Sequence, residues 1–240
     1  MKKYVDEDMD GAEFRECNMN NSRLIGVVMQ DAVIDGLVTN LVVNGVEVTE
    51  YVEAELDRRH PVRLLIRSDD PAELREGWRQ LRADWVLTVQ RMRRTPGLEH
   101  RSVNDEWSAM QTMRHLVFVH DSWFGRCCLG STEPFTPMGV GPAFLPAEQG
   151  LDPSANPTLD EVLAVRDEQG AQLEGWLATV TAEQLQEPAP IPDNDMWPPY
   201  AGGRSVKQCL TTVLGEEWAH HGFCVRDLDL IAASSPPRPE

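Results

Sequence analysis

Positive charge is in short supply in this chain: 22 Lys and Arg stand against 39 Asp and Glu, a net −17 at pH 7. Phosphate backbones are bound through a basic footprint, so nucleic acid is excluded as the expected partner, and an anionic membrane surface with it. Long apolar runs are missing too. None approaches the roughly 18 residues needed to span a bilayer. The first residues, Met1-Lys2-Lys3-Tyr4-Val5-Asp6-Glu7-Asp8, lack the apolar stretch of a secretory signal. Cysteine is sparse and poorly arranged for cross-linking, with Cys127 and Cys128 adjacent and no Cys-x-x-Cys among the five. Reduced thiols in a cytoplasm suit that pattern better than a disulfide framework, and a cytoplasmic location is expected. The 240 residues are 41% hydrophobic, enough for one large domain or a domain with an appendage.

Residues 8–48 carry an internal period of five. Phe14, Met19, Leu24, Met29 and Ile34 follow one another at that interval, and Ala12, Cys17, Ser22, Val27 and Ala32 lie two residues before each. Five residues fit neither a helix nor a plain strand. The pattern resembles the pentapeptide-repeat family, in which each five residues form one side of a square, right-handed β-helix. The resemblance implies that the bulky residue and the small one two before it point inward. The register weakens at Thr39 and Asn44, and about seven units are too few to bury a core alone. The competing reading is a pair of short strands joined by an Asn44-Gly45 turn.

Beyond a charged connector (residues 49–69), helical patterns dominate. Four long amphipathic segments are predicted, at about 71–94, 105–129, 157–179 and 205–233. Asp70 followed by Pro71 forms a cap-then-proline start for the first, and Trp78, Leu81, Trp85 and Val89 give its apolar face. Leu159, Val162, Val165, Leu173 and Leu177 mark the buried side of the third. Pro- and Gly-rich loops separate them at about 130–156 and 182–204. Four such helices read as a four-helix bundle over 70–233. Residues 234–240 read as a disordered tail.

Within the last helix, Glu217 and His221 fall at the centre of the stripe made by Leu210, Val213, Leu214, Cys224, Val225 and Leu228. A carboxylate and an imidazole on an apolar stripe are costly to bury without a strong partner. A divalent metal is one such partner, and i,i+4 spacing puts two ligands on one side of a helix. An internal Glu–His pair or a structural histidine is the other reading. Cys224, one turn on, reads as a core residue. His220 points away from the stripe, as an outer neighbour of a site or a solvated group, and Glu216 reads as solvated. His60 and His100 lie in charged, loop-like contexts. Asp121 and Arg166 read chiefly as surface ion pairs.

Trp107-Ser108 and His115-Leu116 on the second helix, followed by Glu217 and His221 on the last, resemble the DinB/YfiT-like metalloprotein superfamily over roughly residues 70–232. Its pattern is Trp-Ser then His-Leu on the second helix and His-x3-His on the last. Glu217 stands where that family usually has its first histidine. Glutamate remains a competent ligand but shifts preference toward harder ions. The resemblance implies a mainly α, DinB-like four-helix bundle holding zinc, nickel or manganese through His115, Glu217 and His221. On a helical wheel His115 falls with Gln111, Ser122 and Arg126 in a polar sector, whereas His120 falls nearer the apolar face. Periodicity by itself selects His120 as the buried histidine; the Trp107-to-His115 spacing selects His115 as the ligand.

Some relatives implied by this resemblance are thiol-dependent transferases or isomerases using mycothiol, bacillithiol or glutathione. The expected partners are accordingly a low-molecular-weight thiol, a small-molecule electrophile and a second copy of the chain. Hydrolysis through an activated water is the competing chemistry, and no separate general base stands out. The alternative is a non-catalytic scaffold with a structural or vestigial metal site and the repeat segment as a docking or dimerisation edge.

Overall fold

The computed structural model of the protein describes residues 2–15, 17–142, 145 and 149–234. They divide into two compact units, Met1–Thr49 and Glu50–Glu240.

In the first unit the period of five is written in the backbone. Asp6, Gly11, Asn21, Gly26, Asp31 and Gly36 all have positive φ at intervals of five or ten residues. Asn, Asp and Gly are the residues that enter this left-handed region at least cost. The turns repeat as well: the amides of Ala12 and Ser22 donate to the carbonyls of Met9 and Met19. The expected inward burial does not accompany the period. Phe14, Met19, Leu24, Met29 and Ile34 are all exposed. The only strands among the described residues are β1 (Val42–Val43) and β2 (Val46–Glu47), antiparallel about Asn44-Gly45, both with positive φ. Asn-Gly is the sequence such a two-residue hairpin turn favours. With so few repeats, no full layer of coil covers the next.

The second unit is helical. Helix α1 (Thr49–Arg59) and the short α2 (Val62–Leu65) are tied by Arg63, which donates to Glu53 and, at 2.8 Å, to Asp57. Helix α3 (Pro71–Arg93) starts on Asp70, whose carboxylate accepts from the Ala72 amide at 2.8 Å, with Pro71 in the first turn. Helix α4 (Ala109–Val119) begins with a capping box of Ser108 and Gln111. It starts four residues later than the predicted 105, because Asn104 and Asp105 have positive φ and cannot continue a helix. It widens to a π-helical stretch, His120–Arg126, and ends as α5 (Cys127–Leu129) with left-handed Gly130. Helix α6 (Leu159–Leu177) has its own capping box of Thr158 and Glu161. After α7 (Ala182–Gln186), α8 (Val206–Ser234) runs the length of the unit. Ser234 ends that helix, and residues 235–240 of the expected tail lie outside the described residues.

Helices α3 and α4 each pack on both α6 and α8, closing a four-helix ring. Its interior holds two apolar clusters. One is built around Trp78, Phe118, Trp123 and Phe124, the other around Trp85, Met92, Met113 and Leu116. No helix among the described residues is long and apolar enough to cross a membrane.

Candidate metal centre

The two histidines and the carboxylate that could hold an ion converge between α4 and α8. They are His115, Glu216 and His220, each offering a ligand atom within 4.8 Å of the others. Glu216 and His220 are i,i+4 neighbours on α8, and their side chains meet at 3.0 Å (Oε2 to Nε2). His115 comes from α4, with Nε2 3.6 Å from the same Glu216 oxygen. Its other ring nitrogen, Nδ1, donates to the Val140 carbonyl at 3.0 Å. That bond orients the ring with Nε2 turned toward Glu216, as a hydrogen bond at the far nitrogen commonly does for a metal-ligating histidine. Burial works to raise the Glu216 carboxyl. Hydrogen bonds from His115 and His220, with their charges, outweigh it and bring the group down to about 2. The carboxylate is therefore ionised across the physiological range. An acceptor-only oxygen and two imidazoles form a donor set that could hold a metal ion.

Aromatic rings wall this cluster. Trp107 lies 4.8 Å from His115 and stacks on His220 at 6.1 Å, Phe223 meets His220 edge-on at 5.7 Å, and Phe118 stands 6.1 Å from His115. The loop that supplies Val140 is tied to α4 again by Arg114, which donates to the Met138 carbonyl at 2.6 Å. Tyr200, from the long loop before α8, senses Glu216: burial raises its hydroxyl, Arg204 opposes, and the Glu216 charge adds to the rise.

The expected set of His115, Glu217 and His221 is not brought together. Glu217 is buried and accepts both Nη1 and Nη2 of Arg166 on α6, at 3.1 and 2.8 Å. Arg166 in turn lies over the Trp85 ring at 5.1 Å. His221 points to α3, where Nε2 meets the Thr88 hydroxyl at 2.9 Å and the ring packs edge-on against Trp85 at 4.9 Å. Burial lowers the ring's pKa, and the neighbouring Asp84 works against that. Glu217 and His221 on the apolar stripe do have strong partners, but these are an arginine, a threonine and a tryptophan. Glu216 and His220 have the same i,i+4 spacing one residue earlier, about 100° round the helix. That places Glu216 and His220 at the edge of the apolar stripe rather than at its centre.

The remaining candidates also find places. His120 is buried, with Nε2 3.4 Å from Gln172, and burial pulls it down to about 4, as befits a core histidine. Asp121, read as a surface ion pair, instead pins the loop: it accepts from the Thr136 amide at 2.7 Å and from Gln169 at 2.8 Å. Cys224 is buried in the second apolar cluster. His60 is exposed, as expected of a solvated histidine, with its ring edge-on to Trp218 at 5.7 Å.

Compared with known proteins, residues 80–224 match the family profile described as the DinB superfamily. No curated protein and no solved structure matches the chain.

Proposed function

The chain belongs to the DinB superfamily, and on that premise we propose that it binds a divalent metal through His115, Glu216 and His220 and acts as a metal-dependent thiol transferase or isomerase. The observation that carries the reading is the convergence of two imidazole Nε2 atoms on one Glu216 oxygen, with His115 Nδ1 already committed to Val140. A bound zinc, nickel or manganese would supply Lewis acidity that lowers the pKa of a thiol and favours its thiolate.

The chain's own residues prepare for that chemistry. His115 and His220 would offer imidazole nitrogens to the ion, and Glu216 a negative oxygen that offsets part of its charge. Trp107, Phe118 and Phe223 keep water from the imidazoles and offer apolar area to a substrate body. The expected partners are a thiol of the mycothiol, bacillithiol or glutathione kind and a small electrophile, in a reducing compartment such as the cytoplasm. The period-five turns of the first unit, with their exposed apolar side chains, support a second reading. In it a short pentapeptide-repeat coil serves as a docking or dimerisation edge, and the metal is structural.

Elemental analysis of protein purified without a metal-affinity tag is the test. Near-stoichiometric metal in wild type, lost in His115→Ala, Glu216→Ala and His220→Ala but kept in Glu217→Gln and His221→Gln, is the expected outcome. Loss in the second group alone would overturn the ligand assignment. A loaded protein that fails to join any of the three thiols to a chromogenic aryl electrophile would favour the structural reading.

A further inference from the structure

The first unit keeps its largest apolar side chains in the open. Met9, Phe14, Met19, Leu24, Met29 and Ile34 lie five residues apart and are all between 43 and 62% exposed. The left-handed turns recur at intervals of five or ten, so each of these side chains leaves an equivalent point of a repeating backbone. Uniform half-exposure is what packing on one flank alone leaves. In a stack of repeats the bare flank is covered by the next layer, and the last layer carries a polar cap. Here the series is apolar from end to end.

We infer that a second copy of this chain supplies the covering layer, the two period-five units meeting face to face through this series. Spacing, charge and area select a second copy over an unrelated partner. A covering surface has to offer apolar groups at the same five-residue interval, and the chain itself carries that interval. At net −17 two copies repel one another, yet residues 17–30, the middle of the series, contain no Asp or Glu and have Arg23 as their one charge. Six half-exposed side chains of this size offer roughly 100 Å² each. That is about 600 Å² a copy, which reaches the lower end of the roughly 1,200–2,000 Å² total of a stable interface. A pair of this size forms a concentration-dependent dimer, and a two-fold axis closes it at two copies. The inference rests on the docking half of the second reading above and names its partner; it holds whether the metal is catalytic or structural.

Sedimentation velocity of the full chain across a wide range of concentration tests it. The mass of wild type is expected to rise from one chain to two. Met19→Glu combined with Leu24→Glu puts carboxylates into the covered face and should stay at one chain throughout. Leu87→Glu, at a residue of α3 that is 64% exposed, should pair like wild type. Cys17, two residues before Met19, gives a second readout without any substitution, because it is the one exposed cysteine of the five. Its alkylation by iodoacetamide should slow as the dimer forms. A wild type of one-chain mass at every concentration would overturn the pairing, whereas the thiol-joining assay above decides the structural-metal half of that reading independently. A dimer that survives in the double variant, that is lost in Leu87→Glu, or that leaves Cys17 alkylation unchanged would overturn the location. Mass beyond two chains would overturn the two-fold closure.

Discussion

Glu217 and Arg166 show what a buried charge demands. Both side chains are nearly sealed from solvent, and both guanidinium Nη atoms reach the carboxylate. Such a pair adds little over a well-packed apolar pair, but breaking it strands a charge in a low-dielectric interior. Glu217→Ala is therefore expected to cost about 3–5 kcal/mol in urea unfolding. The double variant Glu217→Leu with Arg166→Met should recover most of that loss. A single variant within 1 kcal/mol of wild type would mean that water reaches Arg166. His221, one turn away, is held by Thr88 and Trp85, so the core-facing stripe of α8 is a packing surface down to its polar members.

Among the elements, α2 and α3 meet more closely than side chains would allow. A Cβ built on Gly77 would stand 2.8 Å from Ile66 Cγ2 and 3.1 Å from the Ile66 backbone nitrogen. Replacing glycine by alanine within a helix ordinarily stabilises it by up to about 1 kcal/mol. Here the sign reverses. Gly77→Ala is expected to destabilise by about 1–3 kcal/mol, since backbone rather than a flexible side-chain tip must move. Chemical denaturation of the single variant checks it, and a gain in stability would show that α2 yields freely. Lys207 of α8 anchors the same region, donating to the Arg67 and Ser68 carbonyls and to Asp69 at 3.1 Å.

At the scale of the whole molecule, pH reports how much titratable chemistry the bundle has buried. His120 sits at about 4 in the fold against an ordinary 6.5 because burial disfavours its charged form. The unfolded chain therefore binds the extra proton between those values, and stability falls as pH drops from 6.5 toward 4. The full difference is worth about 3 kcal/mol. Below 4.5, protonating Glu216 as its value of about 2 is approached removes further stability. Asp121 acts in the opposite sense. Its carboxyl is raised by burial, so it loses stability as pH rises above 3.8 and offsets part of the acid loss near that value. His120→Gln should flatten the decline between pH 6.5 and 4 in thermal unfolding, leaving the loss below 4.5 in place. An unchanged profile would exclude His120 as its source.

The helical content, the four long segments and their starts at Asp70, Thr158 and Ser205 were legible in the chain because caps and apolar periodicity are local properties. That His115 belongs to a cluster able to hold an ion was legible through its spacing from Trp107, and the period of five through its bulky residues and the small ones two before them. The choice between the pairs Glu216/His220 and Glu217/His221 was not. Both obey the same i,i+4 rule, and which one faces α4 depends on how α8 is rotated against three other helices. Burial on an apolar stripe signals only that a polar group has found some partner. Tertiary structure decided that the partner of Glu217 is Arg166. Local sequence sets where a helix begins and which face is apolar, whereas the pairing of side chains from distant segments is set by the packing of the whole ring.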